Sequence, residues 1–178
     1  MRLLVASDIH GSLYYANKLS TCIDREMVDG VILLGDLYYH GPRNALPKDY
    51  SPMEVCDILN RYKDMILSAK GNCDAEVDVM MSRFPFSSSI RKTIKGRRFM
   101  FTHGHKYNID NPPNDIDVLI YGHTHIPFVK RTKEGKVYAN PGSVSIPKGD
   151  SVGGYMIVSD YAITLKDLDG NTLDTLDL

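Results

Sequence analysis

The chain lacks tryptophan and has only three cysteines among 178 residues. Cys22, Cys56 and Cys73 are odd in number, widely spaced and without a CxxC pair. That excludes a disulfide framework and a cysteine-built zinc knuckle, and it fits a reducing compartment. Long apolar runs are missing too: none approaches the ~20 residues that span a bilayer. The opening Met1-Arg2-Leu3-Leu4-Val5-Ala6 turns polar at Ser7-Asp8, too soon for a secretory signal. The expectation is a cytoplasmic, unprocessed chain with no membrane partner. Nor is there an excess of charge of one sign. Lys plus Arg number 21 against 22 Asp plus Glu, a net charge of -1, so no overall basic field exists to hold a polyanion. The basic stretch Arg91 to Arg98 has no aromatic residue within it, so it reads as a solvated hairpin, and no nucleic-acid partner is expected.

What is present is the composition of a folded domain, with 43% hydrophobic and 24% charged residues. Neither a repeat nor a low-complexity linker divides it, so residues 1–178 are expected to form one domain. Leu3 to Ala6, Val31 to Leu34 and Met65 to Ala69 are short apolar runs, each ended by a polar cluster, the pattern of buried strands feeding loops. Helix-compatible stretches, Ser12 to Val28 and Pro52 to Lys63, lie between them. This βαβαβ start predicts parallel strands. After Phe84-Pro85 the texture changes to strand-like runs at 97–102, 117–121, 128–131, 137–139, 155–158 and 163–166. Glu134-Gly135-Lys136 and Asp169-Gly170-Asn171 are expected hairpin turns.

Five of the six histidines fall in three compact motifs, Asp8-Ile9-His10, His103-Gly104-His105 and Gly122-His123-Thr124-His125. In an extended segment residues i and i+2 share a side, so Asp8 with His10, and His123 with His125, are each expected to present two ligands toward one place. Asp36 and Asn72 close the second and third parallel strands, at the strand ends where open α/β sheets bind ligands. Carboxylate, imidazole and carboxamide donors without thiolates suit Mn, Fe, Zn or Co. Seven donors exceed the needs of one catalytic ion. Two ions about 3.5–4 Å apart, sharing a carboxylate, would use them all and hold a bridging hydroxide for in-line attack on phosphorus.

The order of these motifs, together with Leu34-Gly35-Asp36, His40-Gly41-Pro42-Arg43-Asn44, Gly71-Asn72-Cys73-Asp74 and Asn140-Pro141-Gly142-Ser143, resembles the calcineurin-like metallophosphoesterases, in particular the small bacterial YfcE-type phosphodiesterases. The resemblance covers nearly the whole chain. It implies a four-layer αββα sandwich with mixed sheets. It also implies one metal on Asp8, His10, Asp36 and His125, and a second on Asp36, Asn72, His103 and His123, with Asp36 bridging. The expected cofactors are two divalent ions, Mn2+ first, with Zn2+, Fe2+, Ni2+ or Co2+ compatible with the same donors. The expected substrate is a small-molecule phosphodiester; the alternatives are a phosphomonoesterase or nucleotidase of the same fold, or a non-catalytic metal-binding interaction scaffold. A homo-oligomer is the default assembly.

Cys73 stands where the wider family carries a histidine that assists the leaving group. A thiol is a weak donor, so catalysis is expected to lean on the metals, with Asp36 and Asn72, and Cys73 is read either as a donor or as a filler. Arg43, His40 and His105 are candidate substrate contacts. Gly35-Asp36-Leu37-Tyr38-Tyr39 matches a tyrosinate-ligand pattern of purple acid phosphatases, but there the first motif has glycine where this chain has His10, so Tyr39 is not expected to be a ligand.

Overall fold

A computed structural model describes all residues, 1–178. The first half runs β1 (Arg2–Ala6), α1 (Leu13–Glu26), β2 (Gly30–Leu33), α2 (Pro52–Asn60), β3 (Ile66–Ala69), α3 (Glu76–Met81) and β4 (Phe86–Ser87). The second is all β: β5 (Ile90–Ile94), β6 (Arg97–Thr102), β7 (Val118–Tyr121), β8 (Phe128–Arg131), β9 (Val137–Asn140), β10 (Gly154–Ser159), β11 (Ala162–Asp167) and β12 (Thr172–Asp177). They build a seven-stranded sheet in the order β12-β11-β10-β1-β2-β3-β4 and a five-stranded sheet in the order β5-β6-β7-β9-β8. Both are mixed: β1 to β4 are mutually parallel with β10 antiparallel to β1, and the parallel trio β6, β7, β9 is flanked by antiparallel β5 and β8.

The period-two alternation of each strand explains the layers. Leu3, Val5, Ile32, Met156 and Val158 face Phe99, Phe101, Val118, Ile120 and Ala139 across the gap between the sheets. Their neighbours Leu4, Ala6, Val31, Leu33 and Ile157 face outward, onto Ala16, Leu19 and Ile23 of α1 and Val55, Ile58 and Leu59 of α2. α1 starts where Ser12 accepts a bond from the Tyr15 N–H, and α2 starts at Pro52, whose missing N–H is no loss in a first turn. On the outer side of the smaller sheet, Met100, Leu119, Tyr121 and Tyr138 are covered by Ile109 and Ile116 of the segment between β6 and β7, which contains no regular helix. The expected double sheet is present, and its fourth layer is this irregular segment.

Three elements escape the sequence patterns. α3 buries none of its residues, so it carries no apolar stripe to read. β4 has two residues. In β12 the leucines of Thr172-Leu173-Asp174-Thr175-Leu176-Asp177 recur every third residue, and its pairing with β11 shifts register at Leu165/Lys166. Lys95-Gly96 does close a β5–β6 hairpin, the solvated turn expected at Arg91 to Arg98.

Away from the ligand residues, one polar cluster ties α1 to the sheet. Glu26, the last residue of α1, is 7% exposed. It accepts from the Tyr155 hydroxyl at 2.7 Å, from the Lys166 ammonium and from the Arg2 guanidinium. Burial pushes its carboxyl up, but bonds from Lys166, Tyr155 and Arg2 outweigh that and hold it at about 2, against an ordinary 4.5. A depressed carboxyl stabilises the fold above its unfolded value, and that contribution is lost as pH falls toward the folded one. We expect Glu26→Gln to lower unfolding free energy by about 2 kcal/mol at pH 7, because Lys166 and Arg2 are left without their counter-charge. Urea denaturation should find the gap narrowing from pH 4.5 down to 2; a gap independent of pH would rule out the carboxylate charge as its origin.

Candidate metal centre

Seven polar side chains meet beyond the carboxyl ends of strands from both sheets. Asp8 and His10 follow β1, Asp36 follows β2, Asn72 follows β3, His103 follows β6, and His123 and His125 follow β7. Five of the seven do not sit on extended backbone. Asp8, His10, Asp36, His123 and His125 have φ of 58°, 50°, 54°, 66° and 62°, in the left-handed region. For non-glycine residues that conformation costs about 1–2 kcal/mol each, a strain that collects at functional sites. The expectation that i and i+2 share a side of a strand is therefore corrected: tight turns aim these side chains. The turn after β7 also splits its pair, sending His125 to one group and His123 to the other.

The first group is Asp8, His10 and His125. Asp8 Oδ1 lies 3.1 Å from His125 Nε2 and 3.4 Å from His10 Nε2, and the two Nε2 atoms are 3.3 Å apart. The second group is Asp36, His103 and His123. There His103 Nε2 lies 3.3 Å from Asp36 Oδ2, 3.1 Å from His123 Nδ1 and 3.0 Å from the Asn72 carboxamide oxygen. Asp36 Oδ2 is also 4.0 Å from His10 Nε2, so one carboxylate oxygen stands between the groups.

The donor set fits divalent cations. His10, His103 and His125 each donate Nδ1–H to a backbone carbonyl, of Tyr39 at 2.7 Å, Leu34 at 2.8 Å and Ile146 at 2.6 Å. A carbonyl only accepts, so Nδ1 carries the proton and the Nε2 lone pair of the neutral ring is free for a metal. Asp8 Oδ1 is buried without a hydrogen-bond partner among those Nε2 atoms. Such a convergence of lone pairs needs a positive charge at its centre. The titration of the groups reports the same field. Burial pushes Asp8 up, but His10, His125 and the charge of His103 more than reverse this and hold it well below the carboxylate range. Burial lowers His103, yet Asp36 and Asp8 raise it to about 9, so a metal arriving there displaces a proton.

Other residues hold the ligands. The Asp74 carboxylate accepts from the Leu37 N–H at 2.9 Å, the Asp36 N–H at 2.9 Å and the Gly71 N–H at 2.7 Å, stapling the loop after β2 to the loop after β3. Asn140 donates to the Gly122 carbonyl at 2.8 Å and to Thr124 Oγ1 at 2.9 Å, bracing the His123 turn. Ser143 Oγ donates to the Asp8 carbonyl at 2.7 Å. Two glycines allow the loops to approach this closely: a Cβ on Gly122 would strike Ser7 Oγ, and one on Gly71 would strike Asp36 Oδ1. The roles of Asp74, Asn140 and Ser143 were not read from the sequence, although all three stand inside the motifs.

Above the ligands opens a cavity of about 800 Å3 lined by His10, Asp36, Asn72, Cys73, Arg43 and Lys148, among others. Cys73 is half-buried, and burial and the Asp36 charge push its thiol up to about 12, so it stays protonated at neutral pH. Arg43 is on the rim. So is Lys148, a second cation that no sequence pattern singled out. His40 does not line this cavity; its ring packs between Tyr39 and Tyr50, at centroid distances of 4.8 and 5.2 Å. His105 is exposed and lines a neighbouring hollow. Tyr39 lines the cavity, and its backbone oxygen accepts from His10 Nδ1.

Two mixed sheets meeting at such a ligand cluster define a metallophosphoesterase. Residues 1–161 match the calcineurin-like phosphoesterase superfamily domain, and the chain belongs to that family, a phosphoric ester hydrolase by class. It is 37% identical over 177 residues to phosphodiesterase YfcE of Escherichia coli K12, covering 97% of this chain and 95% of that one. The solved structure of YfcE, a phosphoesterase from E. coli, superposes with a TM-score of 0.94 at 36% identity, over 99% of this chain and 98% of that one. Vps29 of Entamoeba histolytica, solved in complex with zinc, shares the fold alone, with a TM-score of 0.63 at 23% identity over 99% of both chains.

Asp74→Asn tests the staple. An amide presents an N–H where the carboxylate accepted one, so we expect Mn2+ affinity, measured by calorimetry, to fall about 10–100-fold while circular dichroism still reports a folded chain. Unchanged affinity would remove Asp74 from the support of Asp36.

Proposed function

We propose that the chain is a binuclear metal-dependent phosphodiesterase acting on a small-molecule phosphate diester. The observation that carries this reading is Asp36, whose single Oδ2 faces both His10 and His103 and so joins two ligand groups into one site. Two ions bound there would polarise the phosphoryl oxygens and lower the pKa of a water to make it a nucleophile at neutral pH. Mn2+ is the expected ion. Of the chain's own groups, Asn72 turns its carboxamide oxygen to the second group and donates its N–H to Cys73 Sγ at 3.3 Å, which fixes the orientation of the amide. Arg43 and Lys148 on the rim suit anionic phosphate oxygens, Arg43 by its planar pair of donors. His10, His103 and His125 keep their Nδ1 protons on backbone carbonyls, so they act as fixed ligands and do not shuttle protons.

Cys73 favours a diesterase over a phosphomonoesterase or nucleotidase. A protonated thiol is a poor donor to a leaving alkoxide, so esters with good leaving groups are the better substrates. The full set of seven ligands supports an enzyme over a metal-binding scaffold of the same fold.

Metal analysis should find two Mn2+ per chain at saturation, and Asp36→Asn should lose more activity toward bis(p-nitrophenyl) phosphate than any other conservative ligand change. A fixed stoichiometry of one, or an active Asp36→Asn, would overturn the binuclear reading.

Rates should fall steeply as the leaving-group pKa rises. Cys73→His places an imidazole at the leaving-group side, and we expect turnover of poor-leaving-group esters to rise about ten- to a hundred-fold, the low end of general-acid effects. If the leaving-group dependence is unchanged in Cys73→His with metals still bound, position 73 does not face the leaving group.

A further inference from the structure

A second hollow, of about 650 Å3, adjoins the metal-ligand cavity. Gly71 lines the hollow and Asn72 lines the cavity, so the two meet across one peptide. His105 lines the hollow, and its ring centroid is 5.5 Å from that of His103 and 6.4 Å from that of His123. An ester group on a phosphate held over the second ligand group is therefore within reach of the hollow.

Its lining is unusual for a surface depression. Met80 of α3 is 84% exposed, Val77 and Met81 are exposed as well, and no residue of α3 is buried. Phe86, which also lines the hollow, is half-buried and stacked on Phe84 at 5.5 Å. Beyond these apolar groups are Lys70 and Lys106. Neither ammonium has a carboxylate within ion-pair distance, whereas Lys18, Lys63 and Lys166 each have one. Glu76 is the one carboxylate on the wall, so the charge of the lining is net positive. Apolar side chains and unpaired ammonium groups in one lining fit a group that is apolar along its length and anionic at its end.

A phosphodiester has two arms, and hydrolysis releases only one. In that step the water oxygen bonds to phosphorus, the bond from phosphorus to the departing oxygen breaks with its electron pair, and a proton passes to solvent. The other arm leaves the site as a monoester. Cys73 and Arg43 line the cavity and not the hollow, so the two spaces can take the two arms. We propose that the hollow bounded by Lys70, Met80, Phe86, His105 and Lys106 is the subsite for the retained ester arm, and that it selects an aryl arm bearing a terminal carboxylate. This rests on the phosphodiesterase reading.

Three diesters with the same p-nitrophenolate leaving group test it on the Mn2+-loaded protein: p-nitrophenyl 4-carboxyphenyl, p-nitrophenyl phenyl and p-nitrophenyl methyl phosphate. We expect KM to rise in that order, by about tenfold from first to last, with kcat similar across the set. In Lys70→Ala/Lys106→Ala the advantage of the carboxyphenyl over the phenyl substrate should shrink to within about twofold, and Lys70→Arg/Lys106→Arg should retain it. A second readout does not need turnover. With [13C-methyl]methionine, 4-carboxyphenyl phosphate should shift the Met80 resonance among the eight methionines, and methyl phosphate should not. Diester turnover without discrimination, and without a Met80 shift, overturns the subsite and leaves the diesterase reading standing. A Met80 shift without hydrolysis of any diester upholds the anion-tipped aryl site and overturns the diesterase reading.

Discussion

Two carboxylates buried side by side, Asp8 with no exposure and Asp36 with 3%, are the constraint around which the chain is arranged. Like charges removed from water are tolerated only when donors and cations surround them. β1 and β2 are adjacent and parallel, so the residues just beyond their ends are forced together. Each carboxylate then collects donors from distant parts of the chain. Asp8 Oδ2 takes the Ser7 hydroxyl at 2.5 Å and the His123 N–H at 2.9 Å, and Asp36 Oδ1 takes the Cys73 N–H at 2.8 Å. The oxygens left over are those that face the imidazoles. Left-handed turns and side-chain-free Gly71 and Gly122 follow from the need to bring so many loops to one point.

How much of this was legible depended on the kind of signal. The strand runs were visible because strands buried on both faces leave short continuous apolar runs between polar clusters, and β6 and β8 were placed to the residue. The ligand residues were visible because imidazoles and carboxylates at strand ends have few structural uses. What the motifs did not disclose was direction. Asp8 and His10 serve one group and His123 and His125 two, although all four adopt left-handed backbone, a difference that spacing does not encode. Asp74 resembled an ordinary turn acid until its three backbone partners were in view, and Lys148 sits in a polar loop with no pattern. α3 and β12 were missed for the opposite reason: their exposure removes the hydrophobic period on which such reading relies.

The likeness to Vps29 separates what the fold does from what the site does. Two chains can share sheets, order and layers at 23% identity, and nothing about activity follows from that. Here the chemistry resides in about a dozen side chains and the backbone groups that hold them. His10 and His103 are fixed by carbonyls of the segment after β2 and His125 by one of the segment after β9, so the ligand atoms are oriented by the same hydrogen bonds that order those loops.

Each ligand group draws on both sheets: Asp8 and His10 lie beyond the seven-stranded sheet and His125 beyond the five-stranded one, while Asp36 belongs to the first and His103 and His123 to the second. His10 and His125 are 115 residues apart in the chain. Neither sheet alone can assemble either group. Ion binding therefore favours only states in which the sheets are docked, and it acts on sub-global opening along the seam between them more than on fraying at the β12 edge. In hydrogen-exchange terms, bound metal would slow amides that are released when the sheets part, and leave the outermost hairpin as fast as before.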